Sequence, residues 1–176
     1  MIKVNNTRRA INIILVCNAI LFSYVETFVP LPFPVPGLKL GLANIITIIA
    51  IVFLNYKDVV FIVVFRCMAM AFLAKGIIAL VLSLSAGFLS ATVMWFLYTK
   101  AYGIFSIRGI SIAGAIVHNV VQVIIASIIL GENILFCYLP ILLIASVITG
   151  FFIGFIGELA VKQIQKKGLL YKCQNS

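Results

Sequence analysis

Six runs of apolar residues, near 10–28, 40–55, 59–74, 76–99, 109–130 and 138–161, follow one another with only short polar or Pro/Gly breaks between them. No single water-excluded core could take in so many apolar segments, so such a chain does not fold as a soluble globule. A helix needs about 20 predominantly apolar residues to cross a bilayer. The pattern therefore predicts an all-α, polytopic membrane protein, a bundle of six transmembrane helices forming one domain over residues 1–176. Composition agrees, since 64% of residues are hydrophobic and 10% charged, against about 25% charged in ordinary soluble domains. The second and third runs are short, 16 residues each. They are read either as two slightly buried, untilted helices joined by Tyr56-Lys57-Asp58 or as a long hairpin. The first run lacks a small-x-small cleavage site and is read as a retained helix rather than a signal peptide.

Thirteen Lys and Arg face four Asp and Glu, and their distribution tests the topology. If six spans put both termini inside, the inner segments hold Lys3, Arg8, Arg9, Lys57, Lys100, Arg108, Lys162, Lys166, Lys167 and Lys172, against Lys39 and Lys75 outside. Ten to two is the asymmetry expected of cytoplasmic loops, which predicts a multi-pass protein of the cell membrane with both termini cytoplasmic. The net charge of +9 is thereby assigned to topology and to attraction for anionic lipid, not to a nucleic-acid groove. Cys17 and Cys67 lie within spans, Cys137 at the outer edge and Cys173 in the inner tail, so no disulfide framework or Cys-x-x-Cys motif is written here.

The four acids, Glu26, Asp58, Glu132 and Glu158, are far apart in sequence. Clustered carboxylates that would hold Mg²⁺ are missing from this pattern, as are a Walker loop and a Gly-x-Ser-x-Gly elbow. One histidine without further ligands predicts no metal site. The chain is read as a non-enzyme without cofactor, which would need partner subunits for any catalytic step.

Polar side chains inside lipid are costly and are by default paired or facing a wet cavity. Arg66 falls near the middle of the third run. It is either a structural ion pair, with Glu26 as one candidate partner, or an anchor for an anion; Glu26 with Lys39 is another pairing. His118 and Gln122 are four residues apart on one helical face, with Asn119 turned about 100° away. These three are either interhelical hydrogen-bonding glue or the lining of a pocket. Pro30-Leu-Pro-Phe-Pro-Val-Pro-Gly37 cannot be regular helix and is expected to form a stiff outer loop, a lid or a simple reversal. Lys39 and Asn44 follow at the start of the second helix, where free N–H groups also favour anions. The candidate substrate-binding set is therefore Lys39, Asn44, Arg66, His118, Asn119 and Gln122.

Small residues recur at helical spacing in Ser83, Gly87 and Ala91 and in Gly150, Gly154 and Gly157, which predicts close helix contacts, mostly internal. Ala19 and Ser23 form a weaker pair on the first helix, the one expected to face outward.

Three stretches carry a family likeness: Pro36-Gly37-Leu38-Lys39-Leu40-Gly41-Leu42-Ala43-Asn44, then Ser111 to Gln122 with its His118-Asn119, then Thr149-Gly150 to Gly157. On these the chain resembles the Gx transporter family, also labelled heptaprenyl diphosphate synthase component I, along nearly its whole length. The resemblance implies a fold similar to the substrate-binding components of energy-coupling factor transporters. In those, a small-molecule ligand binds near the outer face, and a membrane scaffold protein with ATPase subunits moves the unit. It also implies Ala19 and Ser23 as the scaffold contact. The alternative it implies is a non-catalytic membrane subunit supporting a prenyl diphosphate synthase or flavin redox proteins of extracellular electron transfer. Prenyl elongation itself needs aspartate-held Mg²⁺, for which these residues offer no cluster.

Overall fold

A computed structural model describes residues 2–26, 28, 41–101 and 103–167, the side chains of residues 2–8, 74 and 75 excepted. Six α-helices form, as the six apolar runs predict: α1 (Ile2–Glu26), α2 (Ala43–Phe53), α3 (Tyr56–Met70), α4 (Gly76–Ala101), α5 (Ile107–Leu130) and α6 (Leu139–Lys166). A π-helical turn, Ala71–Lys75, joins α3 to α4, and a 3-10 turn, Asn133–Tyr138, leads into α6. Among the described residues there is no strand.

Four of these helices are long and apolar enough to cross a membrane, α1 over Arg9–Glu26, α4, α5, and α6 with its preceding turn. The second apolar run does something other than span. At 11 residues, α2 is about 16 Å long, roughly half a hydrocarbon core. Its residues from Ile45 to Phe53 are all buried, and it touches each of the other five helices. A helix that is apolar all round belongs at the centre of a bundle, and α2 takes that place.

The join between α2 and α3 falls at Leu54 and Asn55, so Tyr56-Lys57-Asp58 is the first turn of α3 rather than a linker. The cause is local. Asn55 sits in extended backbone as the N-cap of α3, and Asp58 reaches back to the Asn55 N–H to close a capping box. Asp58 also accepts a 2.7 Å bond from Asn12 Nδ2, which ties α1 to the head of α3. The two runs thus form separate helices, α2 and α3, joined directly at Leu54 and Asn55.

Glycine fixes how closely α6 approaches its neighbours. A Cβ on Gly150 would stand 2.8 Å from Ile112 Cα, and one on Gly154 2.8 Å from Arg108 Cα, both backbone atoms of α5. One turn on, Gly157 abuts Ile48 of α2. On α4, Gly87 meets Val63, Arg66 and Cys67 of α3, while Ser83 donates to Cys67 Sγ. Both small-residue stripes are thus consumed inside the bundle. The outward faces carry Phe72, Ile77 and Ile128 at 89%, 81% and 73% exposure, a surface suited to lipid and unsuited to water.

Antiparallel packing brings the start of α3, the end of α4, the start of α5 and the end of α6 to one end of the bundle. Lys57, Lys100, Arg108, Lys162, Lys166 and Lys167 gather there. Tyr56 and Trp95 pack nearby with tilted rings, centroids 5.9 Å apart, the kind of aromatic pair that sits at a membrane–water boundary.

Candidate functional site

Arg66 is placed on the inward face of α3 by its own helix. Val59, Ile62, Val63, Cys67 and Met70 share that buried face, and Arg66 retains only 7% of its exposure. Its guanidinium lies against α4, where a Cβ on Gly87 would be 3.4 Å from Arg66 Nη2. The bare backbone at Gly87 therefore makes room for a charged group in an otherwise apolar seam. Among the described residues no hydrogen bond or ion pair reaches this guanidinium. Glu26, the partner considered for it, is used elsewhere: its Oε1 accepts from the Gly41 N–H at 2.5 Å, just ahead of α2.

The register of α4 on α5 locates the histidine and amides. Ser90 Oγ donates to the Gly114 carbonyl at 2.7 Å, and Met94 fills the space a Gly114 side chain would take. Gly114 thus marks the α5 face turned to α4. His118 follows that face one turn on, whereas Gln122, at about 100° per residue, lies about 80° round from Gly114, between the α4 and α6 sides of α5. Because α4 and α5 run antiparallel, one turn beyond Ser90 and Gly114 brings His118 level with Gly87 and hence with Arg66. Gln122 stands one turn further out, and its Oε1 is buried and accepts no hydrogen bond among the described residues. His118 takes part in an interaction of its own.

Asn119 goes to another seam. Its Nδ2 donates to Ser146 Oγ on α6 at 2.6 Å, and the Ser146 hydroxyl in turn donates to the Leu142 carbonyl at 2.6 Å. Both residues are buried, so this is interhelical glue between α5 and α6. Asn119→Ala is expected to cost roughly 1 kcal/mol of stability, which chemical denaturation of the variant measures.

The remaining expectations divide. Asn44 is half-buried beside Gly41 at the head of α2. Lys39 and the Pro30–Gly37 segment lie outside the described residues, as do the Lys75 side chain and the tail with Lys172 and Cys173. Ala19 does not face outward: it is 1% exposed and belongs to the core, because the α1 face that includes it and Leu15 turns inward. Ser23 is half-buried. The outward side of α1 is built instead from Ile13, Ile14, Leu21 and Val25.

One polar cluster escaped the sequence reading. Arg108 Nε and Lys162 Nζ each stand 2.7 Å from a Glu158 oxygen at the basic end of the bundle. The i, i+4 spacing of Glu158 and Lys162 could have signalled half of it; the pairing with Arg108, 50 residues away, needs the α5–α6 register.

A family model described as heptaprenyl diphosphate synthase component I matches residues 15–160, from within α1 to the last turns of α6. No curated protein and no solved structure matches the chain.

Proposed function

We propose, from the premise that the chain belongs to the heptaprenyl diphosphate synthase component I family, that it is a non-catalytic membrane component which binds a small organic anion at Arg66. The observation that carries this is a buried arginine that keeps 7% of its exposure, with no counter-ion among the described residues. A buried cation is costly until it is paired. An anion delivered by a ligand would supply the missing partner; the unsatisfied Gln122 Oε1 is an acceptor and would need a hydroxyl or N–H of the same ligand as its donor. The planar fork of arginine suits carboxylate or phosphate oxygens. Such a component would be operated in the manner of an energy-coupling factor transporter, by a scaffold protein and ATPase subunits, with the basic end of the bundle in the cytoplasm.

The family description favours a second reading, a membrane subunit that holds a prenyl diphosphate synthase partner and binds no solute of its own. Isolation of the protein from native membranes, followed by mass spectrometry of proteins and small molecules together, separates the two. Under the first reading a small anion and ATPase subunits accompany the chain. A synthase subunit without any anion would support the second and remove the first.

A further inference from the structure

We infer that Arg108 and Lys162 together hold the phosphate of an anionic membrane amphiphile, with its tail lying along Phe151 and Phe155. The inference is independent of the role proposed for Arg66. Glu158 accepts one bond from Arg108 Nε and one from Lys162 Nζ, both 2.7 Å. Two cations around one carboxylate leave a net charge of +1. An arginine carries five N–H donors, and here only Nε is used among the described residues, so both Nη groups keep their capacity. They are within reach of a ligand, because the Arg108 and Lys162 side chains are 38% and 66% exposed.

The surroundings select the class of ligand. The Arg108 guanidinium lies 5.9 Å from the centroid of the Phe151 ring and 5.1 Å from that of Phe155. Those rings are 45% and 40% exposed. Phe151, Phe155, Glu158 and Lys162 follow one face of α6 at intervals of three and four residues, so an apolar stripe runs directly into the charged cluster. A free anion would use only the cluster. A molecule with a phosphate head and a hydrocarbon tail would use both, at the depth where Tyr56 and Trp95 mark the boundary of the lipid. Of the other lysines of this end, Lys166 and Lys167 are exposed and follow Lys162 in α6 and just past its end, whereas Lys57 and Lys100 have exposed side chains on α3 and at the end of α4, apart from the ring stripe.

The test is native mass spectrometry of the full chain in detergent, titrated with dioleoylphosphatidylglycerol or dioleoylphosphatidylcholine. The native protein is expected to retain the first molecule of the anionic lipid in preference to the zwitterionic one. R108Q and K162Q should each weaken that retention about tenfold, the loss of a charge-assisted hydrogen bond, while K57Q and K100Q leave it nearly unchanged. E158Q, which frees both cations, should strengthen it. Millimolar inorganic phosphate should fail to displace the lipid; displacement by phosphate alone would mean a free-anion site and overturn the amphiphile. Equal retention by R108Q, K162Q, E158Q and K100Q would reduce the cluster to general surface charge and overturn the inference.

Discussion

Arg66→Met should melt higher than the native chain when no ligand is present, and should lose all response to anions that stabilise the native protein. The two effects have one cause. A charge at the centre of a membrane helix costs about 2.5–3.5 kcal/mol on insertion scales. Methionine fills similar volume without a charge, and exchange of a buried ionic group for a well-packed apolar one commonly stabilises a protein by about 1–4 kcal/mol. The gain is expected because no partner for Arg66 is left stranded among the described residues. Were Arg66 instead one half of a structural ion pair, removal of its charge would strand the other half and destabilise the protein by about 3–5 kcal/mol. Arg66→Lys discriminates further, since it keeps the charge and discards the fork that matches a carboxylate or phosphate; it should bind weakly and remain no more stable than the native chain. Melting of purified protein with and without added carboxylates and phosphates measures the whole set.

Gly154→Ala should lower stability by about 1–3 kcal/mol, the range for an added methyl in a packed interior. The new Cβ would stand 2.8 Å from both Arg108 Cα and Ser111 Cβ. Backbone cannot rotate aside, so α6 must withdraw from α5. That movement would also lengthen the Asn119–Ser146 bond, which bridges the same seam, and would disturb the join between Arg108 and Glu158. Gly103→Ala is the matched control, since nothing lies within 4 Å of a Cβ there, and it should leave the melting temperature nearly unchanged. Equal melting of the two variants would show that the close approach of α5 and α6 is not what sets the bundle's stability.

The number of helices and the small-residue contacts were legible in the sequence because apolar length and i, i+4 spacing are local properties. The role of α2 was not. The apolar run over 40–55 looks like a short span until Asn55 and Asp58 cap the next helix and stop α2 at Phe53, so that an all-apolar segment becomes the centre of the bundle. The candidate site was legible in part. His118, Asn119 and Gln122 fall within two turns of one polar patch in the sequence, yet a rotation of about 100° per residue sends Asn119 to Ser146 while His118 stays nearer the side of Gly114. Only the Ser90–Gly114 contact reveals that division. The burial of Arg66 could be read from its apolar neighbours, whereas the space kept for its guanidinium by Gly87 depends on the pairing of α3 with α4. Ala19 was misassigned for a related reason: a small residue at helical spacing marks a close contact, without saying whether that contact is inside the chain or with another.

An experimental density map of the protein isolated from its own membranes examines the anion at Arg66 without recourse to mutation. Non-protein density within hydrogen-bonding distance of the Arg66 guanidinium, in the seam between α3 and α4, is the expected result. A guanidinium held by a carboxylate of the chain itself, with no such density beside it, would contradict the anion-binding function.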